Sequence, residues 1–203
     1  CSSEGYNCEK ISIEKLKHFV SKDAFNIDGF GKKIVENFWK LNLIRFPQDI
    51  FQLDYDKIEK LDGWGKLSVE NLRYSINDKK KISLEKFIYS LGIRYIGEVN
   101  SEILSKEFSD INSLIKSTKS NNFLKNIDGL GPKAISSLIE YFSNEQNLES
   151  LEKLKNLLKI SNEVDNLKNN YFTNKKLVFT GTLITLSRDE AKYLAKKNGA
   201  KIL

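Results

Sequence analysis

Short segments with closely spaced glycines recur four times in the chain, and their residue types could bind phosphate groups. Residues 27–31, 61–65 and 127–131 share the order aliphatic residue, Asp, Gly, apolar residue, Gly, and residues 93–97 form a degenerate fourth copy. Glycine adopts positive φ and has no Cβ, so such a turn can bring backbone N–H groups close to an anion. Where a helix follows, the unpaired N–H groups of its first turn complete a phosphate site.

The candidate phosphate-binding residues are the glycines of these segments and the basic side chains in or directly after them. They are Gly29, Gly31, Lys32, Lys33, Gly63, Gly65, Lys66, Arg94, Gly97, Gly129, Gly131 and Lys133. In the third segment Tyr95 replaces the first glycine and Glu98 follows the second. That segment is therefore the least typical, and a purely structural role, with Arg94 as its one cation, stays open. For each single basic residue, a solvated surface position is nearly as common as a phosphate contact.

Amphipathic helices must hold these turns in place. Apolar residues recur at spacings of three to five on both sides of each segment, including a stripe predicted to start at Val99 in the third copy. We predict a helix, a glycine hairpin and a second helix in each copy, with an all-α chain from about residue 12 to residue 144. Pro47 and Pro132 suit the first turn of a helix, and Ser83 suits an N-cap.

The four copies resemble the helix-hairpin-helix motif, and their arrangement resembles the C-terminal half of the bacterial NAD-dependent DNA ligases. The resemblance rests on His-Phe-Val-Ser at 18–21, Leu-Gly-Ile-Arg-Tyr-Ile-Gly-Glu at 91–98 and Phe-Thr-Gly-Thr-Leu at 179–183. It implies a mainly α fold, namely a tandem helix-hairpin-helix domain followed by a truncated α/β BRCT beginning. The implied order is a zinc-finger remnant at 1–11, the helix-hairpin-helix domain at 12–145, a helix and linker at 146–174 and an incomplete BRCT domain at 175–203.

The last segment has the pattern of a strand, a helix and a second, parallel strand. Residues 176–179 are apolar enough for a buried strand, the capping-box pattern at 187–190 opens a helix that should stop near Gly199, and residues 200–203 suit the second strand. The resemblance implies that Thr180, Gly181 and Arg188 match positions that hold phosphate in some BRCT domains. A structural role for these three residues is the favoured interpretation.

Two cysteines are too few for a structural zinc site, which normally has four ligands. The resemblance implies that Cys1 and Cys8 are the last two ligands of a four-cysteine zinc site whose first pair precedes this sequence. We expect this chain to bind neither zinc nor any other cofactor tightly. Because the chain also contains no methionine, we expect it to be a fragment of a longer protein.

The sequence contains two signals of catalysis that we interpret as structural. Lys60 opens a Lys-x-Asp-Gly pattern of the kind that carries the adenylated lysine of DNA ligases, but Leu61 to Gly63 already belong to the second glycine segment. A nucleophilic lysine would also need a nucleotide pocket with carboxylates and further basic residues. The lone His18 has no nucleophile or carboxylate pattern beside it. We therefore expect no catalytic residue in this chain.

Charge and hydropathy are compatible with a nucleic-acid partner. The chain has 33 Lys and Arg residues against 27 Asp and Glu, a net charge of +6, which favours polyanions only weakly. No apolar run approaches the roughly 20 residues that span a bilayer, and no signal peptide is recognisable. We expect a cytoplasmic monomer without a membrane partner.

The resemblance implies a parent enzyme that seals 5′-phosphate to 3′-hydroxyl nicks in replication and repair, using NAD, Mg²⁺ and Zn²⁺. The function expected of this chain is sequence-independent binding of duplex DNA with a nick, across the minor groove. One alternative is a helix-hairpin-helix segment of another DNA repair protein, of the excision nuclease type. Another is a helical protein-interaction scaffold; tetratricopeptide scaffolds share a period near 34 but not the paired glycines.

Overall fold

The computed structural model describes residues 8–162, 172, 175–181, 183, 185–198 and 200–202. The chain divides into two compact units, Cys1–Asn162 and Glu163–Leu203. None of the helices formed by the described residues is long and apolar enough to cross a lipid bilayer.

The first unit is mainly helical, as the sequence predicts. Its helices are α1 (Glu9–Val20), α2 (Lys32–Lys40), a 3₁₀ helix (Pro47–Gln52), α3 (Tyr55–Glu59), α4 (Lys66–Asp78), α5 (Leu84–Ser90), α6 (Glu98–Glu107), α7 (Ile111–Lys119), α8 (Asn121–Leu124), α9 (Pro132–Ser143) and α10 (Glu145–Leu157). The predicted helix starts are confirmed, since Pro47 and Pro132 are first residues of helices and the Ser83 hydroxyl accepts the Lys86 N–H at 3.3 Å.

Each glycine segment joins two helices that pack into one hydrophobic core. We call residues 27–31, 61–65, 93–97 and 127–131 hairpins 1 to 4. The aliphatic residue that opens each hairpin anchors it in the core, since Ile27, Ile93 and Ile127 are buried and Leu61 is half-buried. Apolar burial of this kind contributes about 25 cal/mol per Å² and fixes the position of each turn. The predicted helix-hairpin-helix arrangement is confirmed in all four copies.

A small parallel sheet interrupts the predicted all-α region, so that part of the prediction is wrong. Strand β1 (Lys81–Ser83) pairs with β2 (Lys159–Ser161), with Lys81 opposite Lys159 and Ser83 opposite Ser161. Strands of three residues are too short to show an alternating apolar pattern, and their pairing depends on the tertiary fold that brings them together. The first helix also starts earlier than predicted, at Glu9.

Helix α10 and the residues after it belong to the core of the first unit. Leu151 and Leu154 are each 1% exposed. The buried Ser150 hydroxyl donates to Gln48 Oε1 of the 3₁₀ helix at 2.6 Å, which leaves neither polar group unpaired. The Asn162 side-chain amide donates to two backbone carbonyls at the end of α6 at 2.9 and 2.6 Å. The packing of the first unit therefore continues from residue 145 to Asn162.

The second unit contains the predicted strand, helix and parallel strand. They are β3 (Lys176–Leu177), α11 (Arg188–Lys197) and β4 (Lys201–Ile202), with Lys176 opposite Lys201. The predicted end of the helix at Gly199 and most of the predicted linker lie outside the described residues.

The predicted capping box at the start of α11 is confirmed. The Ser187 N–H donates to Glu190 Oε2 at 2.8 Å, and the Glu190 N–H donates to the Ser187 hydroxyl at 3.2 Å. These two bonds satisfy donors that a helix N-terminus otherwise leaves unpaired, and the hydrogen bonds that the Glu190 carboxylate accepts from Ser187 lower the pKa of Glu190.

Candidate nucleic-acid interface

All four hairpins form the same β-turn. The N–H of the fourth residue donates to the carbonyl of the first at 3.0 to 3.2 Å in every copy. The third residue has positive φ, at 76° for Gly29, 79° for Gly63, 62° for Tyr95 and 82° for Gly129. A turn with positive φ at this position favours glycine. The degenerate third copy is therefore a hairpin of the same geometry, although a tyrosine takes the place of its glycine.

The second glycine of each hairpin is the N-cap of the helix that follows. Gly31, Gly65, Gly97 and Gly131 have negative φ and extended backbone at the starts of α2, α4, α6 and α9. A Cβ added at any of the four would meet no atom within 4 Å. Each of these glycines therefore leaves the start of its helix open on the side where a Cβ would lie, which gives room for a phosphate group to approach the backbone.

All twelve predicted DNA-binding residues are exposed to solvent, and the hairpins that carry them lie in two pairs. Gly29 and Gly63, the first glycines of hairpins 1 and 2, line one groove of about 550 Å³. The half-buried Trp64 of hairpin 2 lines the same groove and packs against Phe38 of α2, with ring centroids 5.5 Å apart. The turns of the first pair thus face one groove.

Hairpins 3 and 4 form the second pair. The Arg94 guanidinium of hairpin 3 lies 5.0 Å from the centroid of the Tyr95 ring, and the Lys133 ammonium group, next to hairpin 4, lies 5.9 Å from it. A Cβ added at Gly129 would lie 2.9 Å from Ile103 Cδ1, so the turn of hairpin 4 packs closely against α6. The structure therefore brings the predicted cations Arg94 and Lys133 to one aromatic ring.

The four hairpins differ at the first two positions of their second helix. In chain order these positions hold Lys32 and Lys33, Lys66 and Leu67, Glu98 and Val99, and Pro132 and Lys133. Leu67 and Val99 are 72% and 69% exposed, so the predicted burial of Val99 is wrong. Leu104, five residues further along α6 and part of the same predicted stripe, is buried. When the four copies are aligned, Leu67 and Val99 stand where hairpins 1 and 4 have the exposed Lys33 and Lys133. This correspondence predicts exposed positions, whereas the apolar stripe alone predicts burial.

A second groove, of about 770 Å³, lies between α1 and hairpin 3. Lys10 and Lys15 of α1 line it together with Tyr95, and burial lowers the pKa of Lys15. His18, on the same wall, has Nε2 2.8 Å from the carbonyl oxygen of Tyr89. The sequence did not indicate that Lys10 and Lys15 lie beside hairpin 3, because this proximity is purely tertiary.

The predicted zinc ligands are only partly within the described residues. Cys1 lies outside them, and Cys8 is the half-buried N-cap residue of α1. In the described part of the chain, no group of three or more His, Cys, Asp or Glu residues could hold a metal ion. Cys8 alone supplies too few ligands for a structural zinc site. Lys60, the other residue with a catalytic pattern, is the exposed C-cap of α3.

In the second unit the structure brings together two of the three residues that the resemblance connects with phosphate. An Arg188 guanidinium nitrogen (Nη2) donates to the backbone carbonyl of Gly181 at 2.9 Å, and Gly181 has a φ of 80°. Thr180 is exposed. Arg188 therefore holds the turn at Gly181 in this structure.

Comparison with known proteins identifies the motif and the relatives of the chain. Residues 86–151, from α5 to α10, match the family model of the helix-hairpin-helix motif. The DNA ligase of Pelagibacter ubique is 53% identical over 205 residues, which cover 100% of this chain and 30% of the relative.

Two further relatives give the same result. The DNA ligase of Wolbachia pipientis is 44% identical and that of Rickettsia africae 41% identical, each over 98% of this chain and 31% of the relative. The chain thus spans about a third of the length of the relatives that it matches. Over its full length, this chain is therefore homologous to a helix-hairpin-helix-containing segment of the DNA ligases.

Proposed function

We propose that this chain binds duplex DNA through its sugar-phosphate backbone, independently of sequence, as the DNA-holding part of an NAD-dependent DNA ligase. The observation that carries the proposal is the repetition of one exposed turn, with an open helix N-terminus, in four hairpins. Backbone N–H groups and lysines recognise phosphates, which are the same in every sequence. Two pairs of such hairpins suit the two strands that border a minor groove.

The proposal predicts steeply salt-dependent binding. If the hairpins and their cations neutralise about four to six phosphates, log K should fall against log salt with a slope of about −4 to −5. The measurement is fluorescence anisotropy of labelled nicked and intact duplexes at several salt concentrations. A slope near zero would contradict backbone recognition and would favour a protein-interaction scaffold.

Single lysine substitutions make the test specific to the hairpins. Lys33→Ala should weaken binding to all duplex sequences alike and reduce the magnitude of the salt slope by about 1. Lys153→Ala is the matched control, because Lys153 lies on α10, away from the hairpins in sequence, and its ammonium group already pairs with Glu149 at 2.7 Å. A loss of affinity restricted to one DNA sequence would argue for base recognition instead.

The parent protein in this proposal seals nicks between a 5′-phosphate and a 3′-hydroxyl in the cytoplasm, with NAD, Mg²⁺ and Zn²⁺ as its cofactors. The adenylated lysine lies in a part of the parent outside this chain, and Cys1 and Cys8 provide two of four zinc ligands. The relatives that bear the name DNA ligase favour this parent over an excision nuclease. In a nick-sealing assay, we expect the full-length parent to seal nicked duplex DNA only when NAD is present. We expect this chain alone to be inactive in the same assay.

A further inference from the structure

Tyr95 occupies a backbone position that the other three hairpins give to glycine. Its φ of 62° lies in the left-handed region, where Gly29, Gly63 and Gly129 stand in the equivalent turns. This conformation is unfavourable for an L-residue with a bulky side chain. Residues held in such unfavourable conformations cluster at functional sites, so the side chain of Tyr95 is a candidate for a role in binding.

The ring of Tyr95 contacts cations from two different hairpins. It is 47% exposed, and the Arg94 guanidinium and the Lys133 ammonium lie 5.0 and 5.9 Å from its centroid. Both distances allow attraction between a cation and the face of an aromatic ring. Arg94 and Tyr95 belong to hairpin 3, whereas Lys133 directly follows hairpin 4, so the ring links the two cations across the second pair.

Hairpins 3 and 4 have fewer groups that can bind a phosphate at their turns than hairpin 1 has. Hairpin 1 is followed by two lysines, but α6 begins with Glu98, whose carboxylate repels a phosphate. Helix α9 begins with Pro132, which has no N–H group to donate. Arg94 and Lys133 are therefore the cations that hairpins 3 and 4 can offer at their turns.

We propose that Tyr95 is a positioning residue that holds Arg94 and Lys133 beside each other as one composite site for a phosphate of the DNA backbone. The inference rests on the proposed DNA binding and extends it by assigning a single shared phosphate to hairpins 3 and 4. Arginine and lysine side chains lose rotamer freedom when they bind, and the ring removes part of that freedom in advance. The third hairpin thus contributes to binding through its side chains despite Glu98.

Two substitutions of Tyr95 separate the ring from its hydroxyl and its bulk. Tyr95→Phe keeps the aromatic face and should bind duplex DNA as the wild type does. Tyr95→Leu keeps a branched apolar side chain at the same φ but removes the aromatic face, and should weaken binding by about 3- to 10-fold. Fluorescence anisotropy gives the affinities. Thermal unfolding tests whether each variant is folded. A third variant, Tyr95→Gly, relieves the unfavourable backbone conformation and should also lose affinity while remaining folded.

A double-mutant cycle tests whether Tyr95 acts through the two cations. In a background of Arg94→Ala and Lys133→Ala, hairpins 1 and 2 should still bind DNA, and Tyr95→Leu should then change the Kd by less than about 2-fold. An equal loss in both backgrounds would mean that the ring itself contacts DNA, and it would overturn the proposal. Normal binding by Tyr95→Leu with a steep salt slope would refute this inference alone, whereas absent or salt-independent binding by the wild type would refute the proposed function.

Discussion

At the scale of single residues, the two glycines of hairpins 1, 2 and 4 have different roles. The first has positive φ, a conformation that glycine adopts without strain, as at Gly129 with a φ of 82°. The second, as at Gly131, has an ordinary φ of −71° and leaves the helix N-terminus open. Substitution at the first glycine should therefore affect stability, whereas substitution at the second should affect the approach of a ligand.

Gly129→Ala and Gly131→Ala form a matched pair that tests this division. Gly129→Ala forces an L-residue to positive φ and places its Cβ 2.9 Å from Ile103 Cδ1, so we expect the free energy of unfolding to fall by about 1 to 2 kcal/mol. Gly131→Ala meets no atom within 4 Å and keeps a negative φ, so it should cost only about 0.5 kcal/mol, the preference for glycine over alanine at an N-cap. Urea denaturation measures both. Equal destabilisation by the two variants would contradict the assignment of separate tasks.

The repeated pattern predicts which glycines turn the chain, but not how the third copy does so. Gly29, Gly63 and Gly129 could be predicted because local turn geometry requires a residue that tolerates positive φ. The positive φ of Tyr95 could not, because a bulky L-residue disfavours this conformation; Ile93 and Ile96 beside it are buried, as are the equivalent residues of hairpins 1 and 4. The meeting of Arg94 with Lys133 likewise depends on packing between hairpins, which no local pattern encodes.

At the scale of elements, helix α7 shows how side-chain caps hold the scaffold behind hairpin 4. Asp110 is its N-cap, and the Asp110 carboxylate accepts the Ser113 N–H at 2.9 Å. The Ser113 hydroxyl in turn accepts the Asp110 N–H at 3.3 Å, which forms a reciprocal capping box. The hydrogen bond from the Ser113 N–H is the main cause of the lowered pKa of Asp110.

The Asp110 cap should make the stability of the protein depend on pH. Because the pKa of Asp110 is lower in the folded state than its ordinary value of 3.8, the stabilisation is present above that value and is lost as the pH falls through the folded pKa. Asp110→Ala should cost about 1 kcal/mol at neutral pH, and its difference from the wild type should shrink in acid. Urea denaturation from pH 7 down to pH 3 follows this change.

Asp110→Asn is the control for that experiment. Asparagine keeps a capping oxygen but does not titrate, so this variant should be nearly as stable as the wild type at neutral pH and should lose less stability in acid. If the alanine variant kept a constant difference from the wild type across the same pH range, Asp110 would not be the titrating cap.

At the scale of the whole molecule, the first unit is a complete scaffold for the four hairpins only when α10 is included. Leu151 and Leu154 fill the core, and Ser150 satisfies Gln48. The sequence predicts α10 from its leucines but assigns residues 146–174 to a separate helix and linker. The pattern of a helix does not tell which neighbour it covers, so the packing of α10 on the 3₁₀ helix could not be predicted.

Two truncations test this description of the first unit. A chain that ends at Asn162 should unfold cooperatively and bind duplex DNA with the same salt slope as the full chain. A chain that ends at Asn144 loses two buried leucines, each worth about 2 to 5 kcal/mol, and should have no cooperative thermal transition. Circular dichroism and anisotropy measure the two outcomes. A stable, DNA-binding chain ending at Asn144 would show that α10 is dispensable.

The short parallel sheet has a consequence for the order in which the first unit folds. Strands β1 and β2 border the segment that contains hairpins 3 and 4. Their pairing therefore closes the backbone of this segment into a loop. Helices and hairpins form from contacts that are close in sequence, but this pairing must pay the entropy of closing a long loop. We expect the second pair to assemble first, and the hydrogen bonds between β1 and β2 to close around it late in folding.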